Sequence, residues 1–246
     1  AGDLDTHDEL CRLLCASGRA RVLSVDYRLA PESPFPAAVE DACAAVTWAF
    51  TRAPAVAVCG DSAGGNLAAV VCQSLRGGAR TPVAQVLLYP LLDHLGEWPS
   101  RFRYRFGPVL TARDLSFFRR HYLPGAADED PRHSPLHARD LTGLPPAIVV
   151  TAALDPLRDE GEAYVAALRQ NATNAPGVLA AGQAFISALC DEWATRRDCH
   201  AVLLDQAVRP WQLDKLKLFC DRRFQILKRN DGLFAVVAAH EHALPR

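Results

Sequence analysis

One serine in this chain is flanked by glycines and stands between a strand-length apolar run and a helix-length one. The stretch reads Gly60-Asp61-Ser62-Ala63-Gly64-Gly65 and carries the pattern Gly-x-Ser-x-Gly. A serine hydroxyl is a weak nucleophile unless it stands clear of its neighbours and within reach of a base, and a sharp strand-to-helix turn provides that exposure. We therefore predict a nucleophile elbow with Ser62 as the attacking group. The alternative is a glycine-rich turn whose serine caps a helix.

The residues beside the serine suit the same turn. Gly60 and Gly64 leave room for the backbone to cross itself, and Gly65 lets the following helix pack close to the sheet. The Ala63 N–H is then expected at a helix N-terminus, where it can stabilise a developing oxyanion.

Strand-like and helix-like segments alternate around the elbow. The strand-like runs cover residues 21–26, 55–59, 83–89 and 146–151. Between them, apolar side chains recur at helical spacing, and a capping box at Thr6 predicts the start of a helix that Gly18 ends. This alternation predicts an α/β fold, with a mostly parallel sheet covered by helices on both faces.

Composition narrows the class of protein. The chain has 246 residues, half of them hydrophobic, and a net charge of −1, so no charge excess indicates a nucleic-acid or membrane-surface partner. Neither a run of membrane-spanning length nor a signal peptide is visible. The eight cysteines include no Cys-x-x-Cys pair, and several lie in apolar segments, namely Cys43, Cys59, Cys72 and Cys220. We interpret them as buried thiols of a cytoplasmic protein rather than as disulfides or metal ligands.

The chain divides into two unequal parts. Residues 1–170 form the predicted core, with a cap-like excursion at 90–143 that is rich in arginine, proline and aromatic residues and includes a helix near 115–122. Residues 171–246 form an atypical C-terminal segment. Its helix-like stretches are 178–193 and 211–227, and its strand-like runs are 201–204 and 233–238.

Six motifs occur in an order that matches a known family. They are Gly2-Asp3-Leu4-Asp5-Thr6-His7-Asp8, Asp26-Tyr27-Arg28-Leu29-Ala30-Pro31-Glu32, Phe35-Pro36-Ala37-Ala38, Gly60–Asn66, Tyr89-Pro90 and Asp155-Pro156-Leu157-Arg158-Asp159-Glu160. From residue 1 to about 170, the chain resembles the hormone-sensitive-lipase-like branch of the α/β hydrolases, which includes bacterial carboxylesterases.

The resemblance implies a serine esterase that acts on carboxylic esters without a metal or organic cofactor. It implies Ser62 as nucleophile, Asp155 as the acid that orients a catalytic histidine, and the Ala63 N–H as one oxyanion donor. The order serine then aspartate fits this hydrolase class. Asp159 and Glu160 are interpreted as acids that suit a helix N-terminus.

The chain departs from the family at its beginning. In the family, a His-Gly-Gly-Gly turn lies just upstream of the first motif, whereas this sequence starts at Ala1 and contains no methionine. We therefore expect an N-terminally truncated fragment with an exposed sheet edge or face. Because the missing glycines supply oxyanion donors, we also expect weak or absent activity.

The chain also departs from the family near its end. The family's catalytic His-Gly-Phe triplet is absent, and the tail is either a genuine replacement or the product of a shifted reading frame. His200 and His240 are candidates to complete the triad, with His240 favoured because the family order is strand then histidine. The alternative for each is an ordinary surface or core histidine. Five further histidines are interpreted as loop or solvated residues: His7, His94, His121, His133 and His137.

Two other hypotheses stay open. The first is a non-catalytic module on the same fold that binds a small molecule beside the elbow. The second is a truncated or misframed remnant that folds poorly. Acyl specificity, alcohol specificity and oligomeric state are not indicated by the sequence.

Overall fold

The computed structural model describes residues 4–18, 20–107, 109–125, 130–152, 154–173 and 233–238. In chain order, the helices are α1 (Leu4–Gly18), α2 (Ala37–Ala49), α3 (Ala63–Ser74), α4 (Pro99–Arg103), α5 (Ala112–Tyr122) and α6 (Arg158–Thr173). The strands are β1 (Arg21–Val25), β2 (Ala55–Asp61), β3 (Ala84–Leu88), β4 (Ala147–Val150) and β5 (Leu233–Ala238). A single 3-10 turn is described at Pro135–His137.

The five strands form one sheet in the order β1-β5-β2-β3-β4, and all four pairings are parallel. The predicted α/β class is therefore confirmed. The strand predicted at 233–238 is also confirmed, as β5. It lies between β1 and β2, so these two early strands each pair with β5 rather than with each other.

Successive side chains of β2 contact different hydrophobic clusters. Val56 and Val58 pack in the main core with residues of α2 and α3, whereas Cys59 packs with Cys11 and Leu14 of α1. Because side chains alternate across a strand, these clusters lie on opposite faces of the sheet. The prediction that helices cover both faces is confirmed.

Some boundaries of helices differ from those predicted from the sequence. The first helix already includes Leu4, so the predicted capping box at Thr6 is wrong. The Thr6 hydroxyl instead bonds to Nδ1 of His7 at 3.0 Å. The short helix α4 was not predicted because five residues carry too little periodicity.

Other predictions concern thiols and the C-terminal segment. Cys59 and Cys72 are buried as expected and Cys43 is half-buried, whereas Cys220 lies outside the described residues. The stretches predicted at 178–193, 201–204 and 211–227 also lie outside them. No described helix is both long and apolar enough to cross a lipid bilayer.

Candidate active site

Ser62 lies at the turn between β2 and α3, and its backbone is strained. Its φ of +51° and ψ of −114° form a conformation that residues other than glycine rarely adopt. The Ser62 N–H donates to the Leu88 carbonyl of β3 at 2.9 Å. The Ser62 carbonyl accepts from the N–H groups of Asn66 at 3.1 Å and Leu91 at 3.2 Å. The turn predicted from the Gly-x-Ser-x-Gly pattern is thus present and held from two sides.

Two glycines are required by close approach of other atoms. A β-carbon built on Gly60 would lie 2.2 Å from the carbonyl carbon of Gly64, which is an overlap between two backbone segments. A β-carbon on Gly65 would lie 2.8 Å from Cβ of Pro90, just after β3. The sequence-based reasons for these two glycines, backbone crossing and close packing of the helix, are confirmed.

Ala63 is the first residue of α3. The first N–H groups of a helix have no carbonyl partner within the helix, and the helix dipole places partial positive charge there. The Ala63 N–H therefore has the position expected of an oxyanion donor next to the serine.

Asp155 lies in the loop between β4 and α6 and is partly buried. One carboxylate oxygen accepts from the Leu157 N–H at 2.9 Å, and the Asp155 carbonyl accepts from the Arg158 N–H at 3.2 Å. Burial raises the pKa of Asp155, and the bond from Leu157 opposes that rise. A carboxylate in such a setting is stabilised by a cationic partner such as a protonated histidine.

The serine and the acid follow strands whose carboxyl ends meet at one edge of the sheet. Ser62 follows β2 and Asp155 follows β4, and β3 lies between them. Backbone bonds continue beyond the strand ends, with the Tyr89 N–H donating to the Val150 carbonyl at 2.6 Å. Ligand sites of open α/β sheets lie at this edge.

The five histidines of the described ranges are engaged elsewhere. His7 Nε2 lies 3.4 Å from the carboxylate of Asp61, and His137 Nε2 lies 3.1 Å from that of Asp93. His94 packs in an aromatic cluster. His121 hydrogen-bonds to the Phe117 carbonyl, and His133 hydrogen-bonds to the Ser134 hydroxyl. Within the described residues, none of them hydrogen-bonds to Asp155. His200 and His240 lie outside these residues, so their candidate roles stay predictions.

Several polar residues that support the site were missed by the sequence analysis. The buried side chain of Asn66 donates to the carbonyls of Leu91 at 2.8 Å and His133 at 2.7 Å. Glu160 was assigned to the helix dipole, yet it is fully buried against Arg101 and a loop beyond β3. Its place in an otherwise amphipathic helix was the available signal, but its partners are too distant in sequence to infer.

The described residues contain no group of side chains that could hold a metal ion. Nowhere among them do three or more histidine, cysteine, aspartate or glutamate side chains come together as a possible metal site.

A family model for the α/β-hydrolase fold matches residues 1–202 of this sequence. The chain belongs to the α/β-hydrolase family. The carboxylic ester hydrolase LipN of Mycobacterium tuberculosis is 52% identical over an alignment of 187 residues that covers 70% of this chain and 50% of LipN. Esterase LipI of the same organism is 42% identical over 66% of this chain and 54% of its own length. The membership expected from the six motifs is therefore confirmed.

Solved structures give the same result. An esterase of Pyrobaculum calidifontis is 46% identical with a TM-score of 0.66, covering 69% of this chain and 59% of the esterase. An ester hydrolase from the metagenome of Lake Arreo, solved with a bipyridine phosphonate derivative, is 46% identical with a TM-score of 0.67, covering 69% of this chain and 57% of the other. The chain spans about half the length of the curated relatives it matches.

Proposed function

We propose that this chain hydrolyses carboxylic esters through an acyl-enzyme on Ser62. The observation that carries the proposal is the strained backbone of Ser62 at the strand-to-helix turn, with φ of +51°. Strain of this kind persists only where surrounding structure enforces it, and it is concentrated at functional sites. The names of the related esterases support the same reaction class.

The reaction follows from the groups around the turn. A histidine takes the proton of the Ser62 hydroxyl as the oxygen attacks the ester carbonyl carbon, and the Ala63 N–H bonds the resulting oxyanion. The tetrahedral intermediate collapses, the alcohol leaves with the proton from the histidine, and an acyl group remains on Ser62. Water then attacks the acyl-enzyme with help from the same histidine, releasing the carboxylic acid and restoring the serine.

Asp155 is proposed to orient that histidine and to stabilise its charged form. Its position at the carboxyl edge, two strands from Ser62, supports this role. Burial raises the pKa of Asp155, so the proposed imidazolium would also keep its carboxylate ionised.

The register of β5 supports His240 over His200 as the histidine. Ala238, the last residue of β5, pairs with Gly60, which precedes Ser62 by two residues. The chain thus reaches the edge of the sheet beside the elbow just before His240 in sequence. His240 itself lies outside the described residues.

A cytoplasmic location is proposed from the thiols alone. The cysteines described as free include Cys11 and Cys59, which pack in the same cluster. Reduced thiols are typical of a reducing compartment.

The test uses the 246-residue chain and a fluorophosphonate probe, and the adduct is read by intact mass and peptide mapping. We expect one covalent adduct on Ser62 and none in Ser62→Ala. His240→Ala should slow labelling at least about tenfold, while His200→Ala should leave it unchanged. Failure to label Ser62 would contradict the proposed function, and tight binding of an ester without labelling would support the binding-module hypothesis instead.

A second assay addresses the rate. With p-nitrophenyl acetate, we expect turnover by the parent chain and none by Ser62→Ala. Equal turnover by the two proteins would contradict the role of Ser62.

A further inference from the structure

A fully buried carboxylate lies shortly beyond Asp155 in the first turn of α6. This residue, Glu160, has no exposed surface. Its Oε1 accepts from the N–H groups of Leu92 at 2.6 Å and Asp93 at 3.2 Å. Its Oε2 accepts from Nε of Arg101 at 3.1 Å and from Nη2 at 2.5 Å.

The chemistry of these partners indicates a charged group. All four are donors, an arrangement that favours the ionised carboxylate because the O–H of a protonated carboxyl would have no acceptor among them. Burial is the main influence on the pKa of Glu160 and raises it to about 7, and the guanidinium of Arg101 opposes that rise. An apolar side chain would fill the same space without the cost of burying a charge, so packing alone does not account for this residue.

The loop that Glu160 binds is also bonded to the nucleophile. Leu91 precedes Leu92, and its N–H donates to the carbonyl of Ser62 at 3.2 Å. The Leu91 carbonyl accepts from the side chain of Asn66 at 2.8 Å. A shift of the Leu92 backbone would therefore reach the elbow through a single neighbouring residue.

The helix that carries Arg101 is bonded to the neighbours of the acid. The Ser100 hydroxyl donates to the carbonyl of Pro156, which directly follows Asp155, at 2.7 Å. The Ser100 N–H donates to the carboxylate of Asp159 at 2.8 Å. Helix α4 thus contacts both the acid loop and the first turn of α6.

We propose that Glu160 and Arg101 form a positioning pair that fixes the Asp155 loop relative to Ser62. The pair connects the first turn of α6 to Leu92 and Asp93, and the neighbouring Leu91 N–H donates to the carbonyl of Ser62. The inference rests on the proposed function, because it concerns the orientation of the two groups assigned to catalysis.

The first test measures this connection without any reaction. Backbone amide hydrogen exchange of the full chain is compared between the parent and Glu160→Gln, which turns an amide N–H₂ toward the guanidinium. We expect faster exchange at Leu92 and Asp93 and also at Leu157, whose N–H donates to Asp155. Faster exchange confined to residues 92–93 would overturn the proposal.

The second test measures the reactivity of Ser62 toward the fluorophosphonate. Glu160→Gln should lower the maximal rate constant of labelling on the order of tenfold while the probe concentration for half-maximal rate stays the same, because misorientation slows the reaction without removing a contact to the probe. The matched control is Glu162→Gln on the same helix, an exposed side chain 3.7 Å from Arg158, which should label like the parent. Equal labelling of both variants and the parent would contradict the role.

A second variant and a measurement that does not depend on labelling complete the design. If Glu160→Gln does not fold, Arg101→Lys replaces it, since lysine keeps the charge but removes the two-pronged contact, and the same exchange and labelling results are expected. If the parent is not labelled at Ser62, the proposed function fails, and hydrogen exchange still determines whether the pair fixes the Asp155 loop.

Discussion

The two sides of the candidate active site are held by different kinds of interaction. On the nucleophile side, Ser62 is fixed by backbone hydrogen bonds and by glycines that allow backbone segments to touch. On the acid side, the Asp155 loop is connected to the region after β3 by side chains, including a buried ion pair. The first arrangement combines glycine contacts within the turn with backbone bonds to the end of β3 and the loop after it. The second relies on side chains that join separate segments.

This difference affects how each side responds to change. Backbone overlap at a glycine cannot be relieved by rotating a side chain, so the elbow should tolerate almost no substitution there. A polar network can lose one partner and partly reorganise, but it responds to protonation because its members are titratable. The elbow should thus fail abruptly on substitution, and the acid side should weaken gradually with pH.

The largest expected effect is at the elbow. Gly60→Ala should lower the free energy of unfolding by more than about 3 kcal/mol, because the new β-carbon meets backbone atoms of Gly64 at 2.2 Å. Urea unfolding followed by circular dichroism measures the loss. The matched control is Gly77→Ala, where φ is +70° but no atom lies within 4 Å, with an expected cost of about 1 kcal/mol. Similar losses in both variants would show that close approach is not the limiting factor.

An intermediate effect is expected from pH on the acid side. His94 is buried, and its pKa is lowered to about 3, first by burial and then by the charge of His133. Since an exposed histidine titrates near pH 6.5, the unfolded chain binds a proton that the native chain does not, and stability falls as pH drops below about 6.5. The loss attributable to His94 should reach about 2 kcal/mol between pH 6.5 and 5.

His94→Phe measures that contribution, since phenylalanine keeps a ring against Tyr122 but cannot titrate. Urea unfolding at pH 7 and pH 5 should show a smaller difference in the variant than in the parent. The same pH dependence in both proteins would mean that other groups cause the acid sensitivity.

The smallest effect is expected at α5, a part of the 90–143 excursion that does not contact the Asp155 loop through the bonds described above. Helix α5 has no buried residue and begins with a capping box, in which the Thr111 hydroxyl accepts from the Asp114 N–H at 3.2 Å. Thr111→Ala should cost about 1 kcal/mol of stability and leave the rate of Ser62 labelling unchanged. Slower labelling would show that the site depends on more of the excursion than residues 91–103.

Much of the nucleophile side was predictable from sequence because the glycine pattern of the turn lies within one short segment. Glycine at positions 60 and 65 follows from the geometry of a strand-to-helix turn, and the alternation of strand-like and helix-like segments indicated the parallel sheet. The strand at 233–238 was predicted from its apolar run, although its place between β1 and β2 was not. Register and strand order depend on tertiary contacts that a single segment does not encode.

The acid side was less predictable for the same reason. Asp155 was predicted through a resemblance, and the buried contacts of Glu160 were not anticipated because acids at helix starts are common. Its partners, Leu92 and Arg101, lie in an excursion without a regular apolar period. A buried network that joins separate segments leaves no periodic pattern in the sequence.

The place of β5 has a consequence for how the chain acquires its structure during synthesis. Ala55 of β2 pairs with Leu233, and Arg21 of β1 pairs with Phe234, so both strands pair with a segment that is synthesised long after them. Pairings between residues so distant in sequence slow the folding reaction. A nascent chain stalled before residue 233 would therefore hold β1 and β2 without their shared neighbour, and two unpaired strand edges would be available to chaperones or to other chains.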